Sequence, residues 1–599
     1  MKFLKFATYL KKLEKTRSRN DMVVILAGMY KEMNISEVEK ATYMLQGRVA
    51  PAFLPIEFSF SNKLIIKALG SLMNNGLATM QKEFKFLGDI GLVAEELYHK
   101  QSSGMELLEV YAVLEEISIL AGKNSQAEKT FKFIELGKKV GGLELKYISR
   151  ILVGSLRLGL SIKTILDGLS WAISGTKGQR EMLERAYGVR CDLGLIAKLA
   201  LGKNPETKLK KIKTEVGVPV AVKLVEREKT LEDIFARVKS CYVQPKYDGL
   251  RVEIHYSKNG FPKYLDSHDL TLFEETEAEK NALTQHVRIF SRNFEDLTPM
   301  FPELGLDVAK LDVESVILDG ETIGFNPLND EFLAFQDTIK RKRKYNIARS
   351  AEKFPVEVHV FDIIELNGKD LLYVPIEKRL KILKDLFAGN KTQHFKVTTT
   401  DLVDNVEKMK KLFEKYVKQN LEGIIVKNEG TLYLPGTRNF DWIKFKSSYR
   451  VGIKDTMDTV VLGYYLGEGS RTKFGIGAIL VGVYDEKRDL YLSLAKVGTG
   501  MKDADWPIIK DAINKITVPK LPVNVKVTES LIPDVIARPE IIAVIDADSI
   551  TKSKMHTQND ANDKGFSLRF PRLKKFGRED KTAQDCTTLS ELVRLFELQ

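Results

Sequence analysis

The stretch "YVQPKYDGLRVEIH", Tyr242 to His255, places a lysine, Lys246, between a proline and a tyrosine. Asp248, Gly249 and Arg251 follow at once, and then an alternating strand-like run. A lysine amine is a nucleophile only when neutral, and its ordinary pKa is ~10.4, so burial or neighbouring cations must activate it. Arg251 lies just beyond it. Further cations come later in the chain: Arg292 in "FSRN", Lys427 in "GIIVK", and Lys444 and Lys446 in "WIKFK". Such a set would lower the lysine's pKa and could also hold a polyphosphate. Gly249 is expected to allow a turn that a side chain would crowd. The carboxylates Glu321 in "LDGET" and Glu422 in "LEGIIVK" could hold Mg²⁺ (or Mn²⁺) or a ribose hydroxyl. Each piece alone is commonplace, since a K-x-D-G tetrapeptide is usually a surface turn and a lone "DGE" a hairpin. The information is in the ordered set.

Three kinds of region must position these residues. Residues 1 to about 210 show apolar residues at three- and four-residue spacing, as in "LLEVYAVLEEISILAG", which predicts helices, with Pro51 and Pro55 marking one break. Within it, "RILVGSLRLGLSIKTILDGLSWAI" carries Arg150, Arg157 and Lys163 and is punctuated by Gly154, Gly159 and Gly168. It is either a helical-hairpin core with incidental basic residues or a turn whose backbone approaches phosphates. From about Pro219 the period changes to two, and strand-like runs ("YVQPK", "VEIHYS", "VRIFS", "SVILDGETIGF", "VEVHVFDII", "EGIIVK") alternate with helical ones, an α+β pattern. After "WIKFK" come five short strand-like runs with glycine-bearing turns, which suit a small closed barrel of OB type. "TKSKMHTQNDANDKG" is expected to be a loop.

At 599 residues the chain is long enough for three or four domains, and 44% hydrophobic with 29% charged residues is ordinary globular composition. Lys plus Arg is 93 against 81 for Asp plus Glu, and the resulting net charge of +12 favours a polyanionic partner over a merely basic surface. Three scattered cysteines, Cys191, Cys241 and Cys586, exclude a four-cysteine zinc site and argue for a reducing, intracellular location. The lysine-studded N-terminus lacks the unbroken apolar run of a signal peptide, and no run approaches the ~20 apolar residues of a membrane span.

In their order, KYDGLR, FSRN, LDGE, VFDII, EGIIVK and WIKFK resemble the motifs of the covalent nucleotidyltransferases: DNA ligases, RNA ligases and mRNA capping enzymes. The tail "SLRFPRLKKFGREDKTAQD" is similar to the C-terminal motif of ATP-dependent DNA ligases of the archaeal and eukaryotic replicative type, as are "FQDTIKRKRKYNI" and "RAYGVRCDLG" to other segments of that group. The resemblance covers nearly the whole chain. It implies a multidomain protein with an all-α DNA-binding domain at 1–215, an α+β adenylation domain at 216–446 and a C-terminal OB-fold at 447–599 that rotates between steps; the composition change over Lys446 to Thr459 places the expected hinge there. It implies sealing of nicks in duplex DNA through lysyl-AMP and DNA-adenylate, in replication, repair and recombination. By resemblance Lys246 carries AMP, Gln244 faces adenine, Phe361 stacks on it, and Arg251 and Arg292 contact ribose and phosphate. Glu321 would bind ribose or metal, Glu422 metal, and Lys427, Arg438, Lys444 and Lys446 would join the nucleotide-facing cations. Arg578 and Lys581 would orient the departing pyrophosphate from a mobile barrel domain.

The sequence departs from that pattern in three places. "VPVAVKLV" stands where relatives carry "PIRPML", "FSRN" stands for "FSRR", and the acidic stretch 265–286 is an insertion. ATP and Mg²⁺ are the implied cofactors. An NAD⁺-dependent ligase would carry a cysteine zinc site, and an RNA ligase or capping enzyme would need neither the ~200-residue helical region nor the RFPR…REDK tail. The implied partners are nicked duplex DNA and a sliding clamp, no membrane is involved, and the chain is expected to be monomeric and cytoplasmic, associated with the nucleoid in a prokaryote. The clamp segment would be His99 to Tyr111, with Gln101, Met105, Leu107 and Leu108 as anchors. The plainer expectation there is a loop in which Ser103 caps a helix starting near Met105, with Leu107 and Leu108 in the core.

Overall fold

The computed structural model describes the chain except residues 17, 123, 263–284, 327–331, 334–337, 339–340, 342–350, 390–391, 448–455, 554, 557–564, 579–580 and 598–599. Most of the insertion at 265–286, most of the "FQDTIKRKRKYNI" segment, most of the hinge and most of the "TKSKMHTQNDANDKG" stretch therefore lie outside the described residues; the described ends of that last stretch, 551–553 and 565, are strand where a loop was expected. The chain forms two compact units, residues 1–83 with 90–446, and residues 447–599 with 84–89. No helix among the described residues is long and apolar enough to cross a membrane.

Up to residue 210 the described regular structure is helical, from Phe3–Lys15 to Pro205–Lys210. In the glycine-punctuated stretch the helices Gly142–Leu152 and Ile162–Ser174 flank a turn in which Gly154, Arg157 and Gly159 all have positive φ. Arg150 is buried and donates to Glu14 and to the Leu156 carbonyl, so it belongs to the core, whereas Lys163 is exposed. In the His99–Tyr111 segment the helix Leu107–Ile119 is capped by Glu106 and not by Ser103, whose hydroxyl instead donates to the Lys139 carbonyl. Leu107 is in the core, but Leu108 points outward, 38% exposed. Phe3 N donates to the Met105 carbonyl and Leu107 N to the Met1 carbonyl, so this segment is tied to the N-terminus.

The strands of the first unit are β1 (Leu224–Arg227), β2 (Cys241–Lys246), β3 (Leu250–Ser257), β4 (Val287–Ser291), β5 (Ser315–Gly324), β6 (Val356–Leu366), β7 (Lys369–Asp370), β8 (Phe395–Val397), β9 (Asp401–Val403), β10 (Gly423–Asn428) and β11 (Arg438–Lys446). They build two sheets, ordered β1-β11-β10-β2-β9 and β4-β3-β5-β6-β7, with β8 added to β6. Val189, from a helix, packs with Val220, Ile317, Tyr433 and Trp442, so the helical region and both sheets share a core. The linker between them is fastened by a buried pair on β3. Val220 N donates to Glu253, and Gly217 N to His255 Nδ1, which leaves the imidazole proton on Nε2 to bond Glu253 at 2.7 Å.

The second unit holds β12 (Met457–Tyr465), β13 (Ala478–Asp485), β14 (Leu490–Val497), β15 (Val525–Lys526), β16 (Val535–Ile536), β17 (Ile542–Asp546), β18 (Ser549–Ser553), β19 (Gly565–Arg569) and β20 (Arg572–Phe576). The sheet runs β15-β14-β13-β12-β17-β20, with β16 on β12, and β18-β19 pair separately. This corrects the expected closed barrel of five strands: among the described residues the ladder has two open ends. Two helices, Asp505–Asn514 and Leu589–Glu597, supply Trp506, Ile509, Ile513 and Leu592 to its core.

Two glycines are dictated by close approach. A Cβ on Gly249 would sit 2.5 Å from the Thr322 carbonyl oxygen, and φ there is not positive, so contact with β5 and not turn geometry requires glycine. Gly423 opens β10 at φ +146°, and a Cβ there would lie 2.1 Å from the Phe445 carbonyl oxygen. Gly423→Ala is expected to lower the unfolding free energy by roughly 2–4 kcal/mol, measured by urea titration; a loss within error would show that β11 can yield at that point.

Candidate active site

Lys246 is the last residue of β2, and the register sets it beside Gly423 of β10, which in turn pairs with Lys446 of β11. Side chains on one face of a sheet repeat every second residue, so the next row reads Gln244, Ile425 and Lys444. Glycine at the middle of the first row leaves room between the two lysines. Glu422, one residue earlier, anchors its backbone N–H on the Lys246 carbonyl at 3.0 Å and brings its carboxylate between them. Lys246 Nζ is 2.6 Å and Lys446 Nζ 2.9 Å from Glu422 Oε2. Burial alone would raise the Glu422 pKa, but Lys246 and Lys446 outweigh it and hold this carboxyl at about 2. Lys444, half-buried, has its pKa lowered by burial and then by Lys446, Lys246 and Arg438. The result is a cation cluster with one carboxylate inside it.

The facing sheet supplies the rest. Arg251 on β3 pairs with Glu321 on β5. Its guanidinium makes a bidentate ion pair with Asp319, at 3.0 and 2.6 Å, and donates to the Lys223 carbonyl at 2.9 Å. Tyr433 donates to the same Asp319 at 2.7 Å. Asp319 holds Arg251 charged in spite of burial. Most of the fork is thus occupied from within the protein, and Arg251 braces β3 against β5 beside the cluster. Among the described residues Glu321 has no such partner of opposite charge in contact. Burial pushes its pKa up to about 7; Lys246 and Arg251 oppose that shift, while Asp319 and Glu422 add to it.

Phe361 is half-buried at an irregularity of β6, where Asp319 pairs with Asp362 and Gly320 already with Val360. The extra residue re-aims its ring. Arg251 lies 5.2 Å and Lys427 4.9 Å from that ring's centroid, and Trp442 meets it edge-on at 6.3 Å. Gln244 is buried and donates to Thr400 Oγ1 at 2.9 Å and to the Phe361 carbonyl at 3.4 Å. Lys427 is fully buried, donates to the Phe361 carbonyl at 2.9 Å and lies 4.0 Å over Trp442. Burial lowers its pKa to about 8, against the pull of Asp362. Lys427 therefore lies behind the Phe361 ring, embedded in the sheet. Arg292 is exposed just past the end of β4, and Arg438 is exposed at the start of β11. Arg578 and Lys581 belong to the other unit, where both bind Asp458.

Asp319, the aspartate of "LDGE", is a site residue that the sequence reading does not single out. Tyr433, whose hydroxyl donates to Asp319 and accepts from Lys223 N, and Asp458 stand in no local sequence pattern. Among the described residues no group of three or more His, Cys, Asp or Glu could hold a metal ion. Glu321 and Glu422 are a sparse oxygen set, and that fits Mg²⁺, which commonly takes one or two carboxylates and completes its shell with substrate phosphates and water.

Comparison with known proteins agrees over the whole length. The family models described as DNA ligase N terminus, ATP dependent DNA ligase domain and ATP dependent DNA ligase C terminal region match residues 2–170, 279–446 and 472–581. A "Probable DNA ligase" of Dictyoglomus turgidum is 39% identical, covering 100% of this chain and 98% of that protein. A "DNA ligase" of Sulfurisphaera tokodaii is 31% identical over 100% and 98%. The solved structure described as "Pmar-Lig_Pre." shares the fold, with a TM-score of 0.55 at 16% identity over 96% of this chain and 99% of that one.

Glu321 gives a pH-dependent test. Its folded pKa of about 7 exceeds the ordinary 4.5, so the folded state takes up its proton more readily than the unfolded state. Stability is then lost as pH rises between those two values, and the deficit is complete above the higher one. Glu321→Gln is expected to melt higher than the parent at pH 8 and to lose that advantage by pH 4. An equal difference at both pH values would mean that this carboxyl does not titrate as described.

Proposed function

Since the chain belongs to the ATP-dependent DNA ligases, which seal nicks in DNA through an adenylate intermediate, we propose that Lys246 is the residue that carries AMP. The observation that carries this reading is the row Lys246, Gly423, Lys446 with Glu422 between the two lysines. Lys246 Nζ, after losing a proton, forms a bond to the α-phosphorus of ATP, and the bond to the bridging oxygen breaks to release pyrophosphate. The nick's 5′-phosphate oxygen then attacks the same phosphorus, and the lysine leaves. Finally the 3′-hydroxyl attacks the 5′-phosphate, and AMP departs as the phosphodiester forms. Every step moves charge among phosphate oxygens, so preset cations are the main means of lowering its barrier.

Lys444, Lys446 and Arg438 face the phosphates in this reading, with Arg292 as an outer contact. Phe361 stacks on adenine, with Gln244 at its edge and Lys427 behind the ring. Arg251 acts through its Asp319 pairing by holding Glu321 in place for the ribose. Glu321 and Glu422 would hold Mg²⁺, which when bound offsets phosphate charge. Lys246 and Lys446 free the Glu422 carboxylate for that purpose only when phosphates draw them off, which couples nucleotide arrival to metal binding.

We further divide the chain into a helical DNA-binding domain at 1–215, an adenylation domain at 216–446 and a C-terminal domain at 447–599. The first boundary is a packed one: Ala221 N donates to the Gly188 carbonyl and Cys191 N to the Pro219 carbonyl. The last domain is assigned to the OB type. Leu573 N donates to the Thr499 carbonyl, bringing β20 towards the end of β14, which supports a curled sheet. The helical domain and the net charge of +12 serve duplex DNA, in replication, repair and recombination within the cytoplasm, and the protein acts as a monomer. A sliding clamp is a proposed partner for the His99–Tyr111 segment, where Gln101 and Leu108 are the exposed anchors.

Lys246→Ala is expected to abolish labelling by α-³²P-ATP and joining of an ordinary nick, while still sealing a nick that already carries AMP on its 5′-phosphate. Wild-type labelling of the variant would refute the assignment of Lys246.

A further inference from the structure

Arg578 and Lys581 follow β20 after Gly577, whose φ of +74° turns the chain back towards β12. Both then meet one side chain, Asp458. Arg578 Nη1 lies 3.2 and 3.1 Å from its two carboxylate oxygens, and Lys581 Nζ lies 2.6 Å from Oδ2. The Asp458 carbonyl accepts from Thr587 N at 2.7 Å, so the segment that carries the two cations is pinned to this one residue at both its ends. Asp458 is itself fixed in β12, paired with Val544 of β17, and only 14% of its side chain is exposed. Arg578 and Lys581 stay partly open, at 27% and 34%.

We infer that Asp458 is a positioning residue for the release of pyrophosphate, holding Arg578 and Lys581 as a convergent pair before nucleotide arrives. The inference rests on the reading of those two cations as the groups that orient pyrophosphate. Long basic side chains have many rotamers, and immobilising them at the moment of reaction is unfavourable. A carboxylate that already orders both removes that loss from the adenylation step, in which Lys246 Nζ bonds to the α-phosphorus and the oxygen bridging to pyrophosphate leaves. One negative charge against two positive leaves the trio net positive, so the pair still attracts the leaving anion. Sealing of a DNA-adenylate releases AMP and no pyrophosphate, and so it should not depend on this arrangement.

The test compares Asp458→Asn, which keeps the shape and removes the charge, with Asp458→Glu, which keeps the charge. Single-turnover self-adenylation, removal of AMP from the adenylated enzyme by added pyrophosphate, and sealing of a pre-adenylated nick are measured on the full chain. The expected result for Asp458→Asn is adenylation slower by roughly ten- to a hundredfold, a raised KM for pyrophosphate in the reverse reaction, and near-normal sealing, with partial rescue in Asp458→Glu. Equal losses in adenylation and sealing would overturn the inference and leave Asp458 as a fold-stabilising residue. Should Asp458→Asn fail to fold, Asp458→Glu carries the test: slower adenylation than sealing supports the inference, and parallel rates overturn it. Arg578→Ala/Lys581→Ala separates the two layers. Normal adenylation there would remove the reading of the pair and the inference with it. Selective slowing there, with none in Asp458→Asn, would overturn the role of Asp458 alone.

Discussion

Repulsion among like charges is the constraint around which the first unit is organised. Lys246, Lys444, Lys446 and Arg438 are drawn close enough to influence one another, and Glu422 is the carboxylate in contact with two of them. The carboxylate sits there because its backbone is tied to the Lys246 carbonyl and because the residue after it has no side chain. The strand order that puts β10 between β2 and β11 is what brings this carboxylate between the two lysines. The cluster carries its own counter-ion, and a single carboxylate offsets only part of its positive charge.

The second sheet supports this cluster by keeping its own charges paired. Arg379 with Asp362 is a buried hydrogen-bonded pair, half-buried Arg251 is paired with buried Asp319, and Tyr433 adds a donor to Asp319. Removing one member of such a pair strands the other, a loss of about 3–5 kcal/mol. That is why replacements at Asp319 or Asp362 should be felt first as instability and only afterwards as lost chemistry. Glu321 is different in kind. It is half-buried near these pairs, no cation among the described residues is in contact with it, and burial outweighs the more distant Lys246 and Arg251 in raising its pKa.

Much of this arrangement was visible in the sequence, because the candidate site residues lie within short runs whose spacing survives folding. Lys246, Glu422 and Lys446 could be nominated from "KYDG", "EGIIVK" and "WIKFK", and the structure brings all three together. What the sequence concealed were pairings across long separations. Arg251 finds its partner 68 residues away and Lys581 finds Asp458 123 residues away, and no local pattern announces either. The aim of Phe361 depends on a one-residue slip between β5 and β6, which alternation cannot reveal. The C-terminal strands exceed the five expected, of which "NVKVTES" holds β15, because β16 is two residues long, too short to show a period, and β18, β19 and β20 lie in runs without clear alternation. The cap at Glu106 was missed because the stronger capping residue, Ser103, is held by Lys139 instead.

The linker at Gly217–Val220 bears on how the molecule comes apart. Its amide protons are satisfied by Glu253 and His255 from inside β3, so the linker cannot peel away without stranding a buried carboxyl and imidazole. Residues on both sides of it thus share a fate on heating or in denaturant. The helical region and the two sheets should melt as a single cooperative block, and amide protons of Gly217 and Val220 should exchange with solvent as slowly as those of the β3 core.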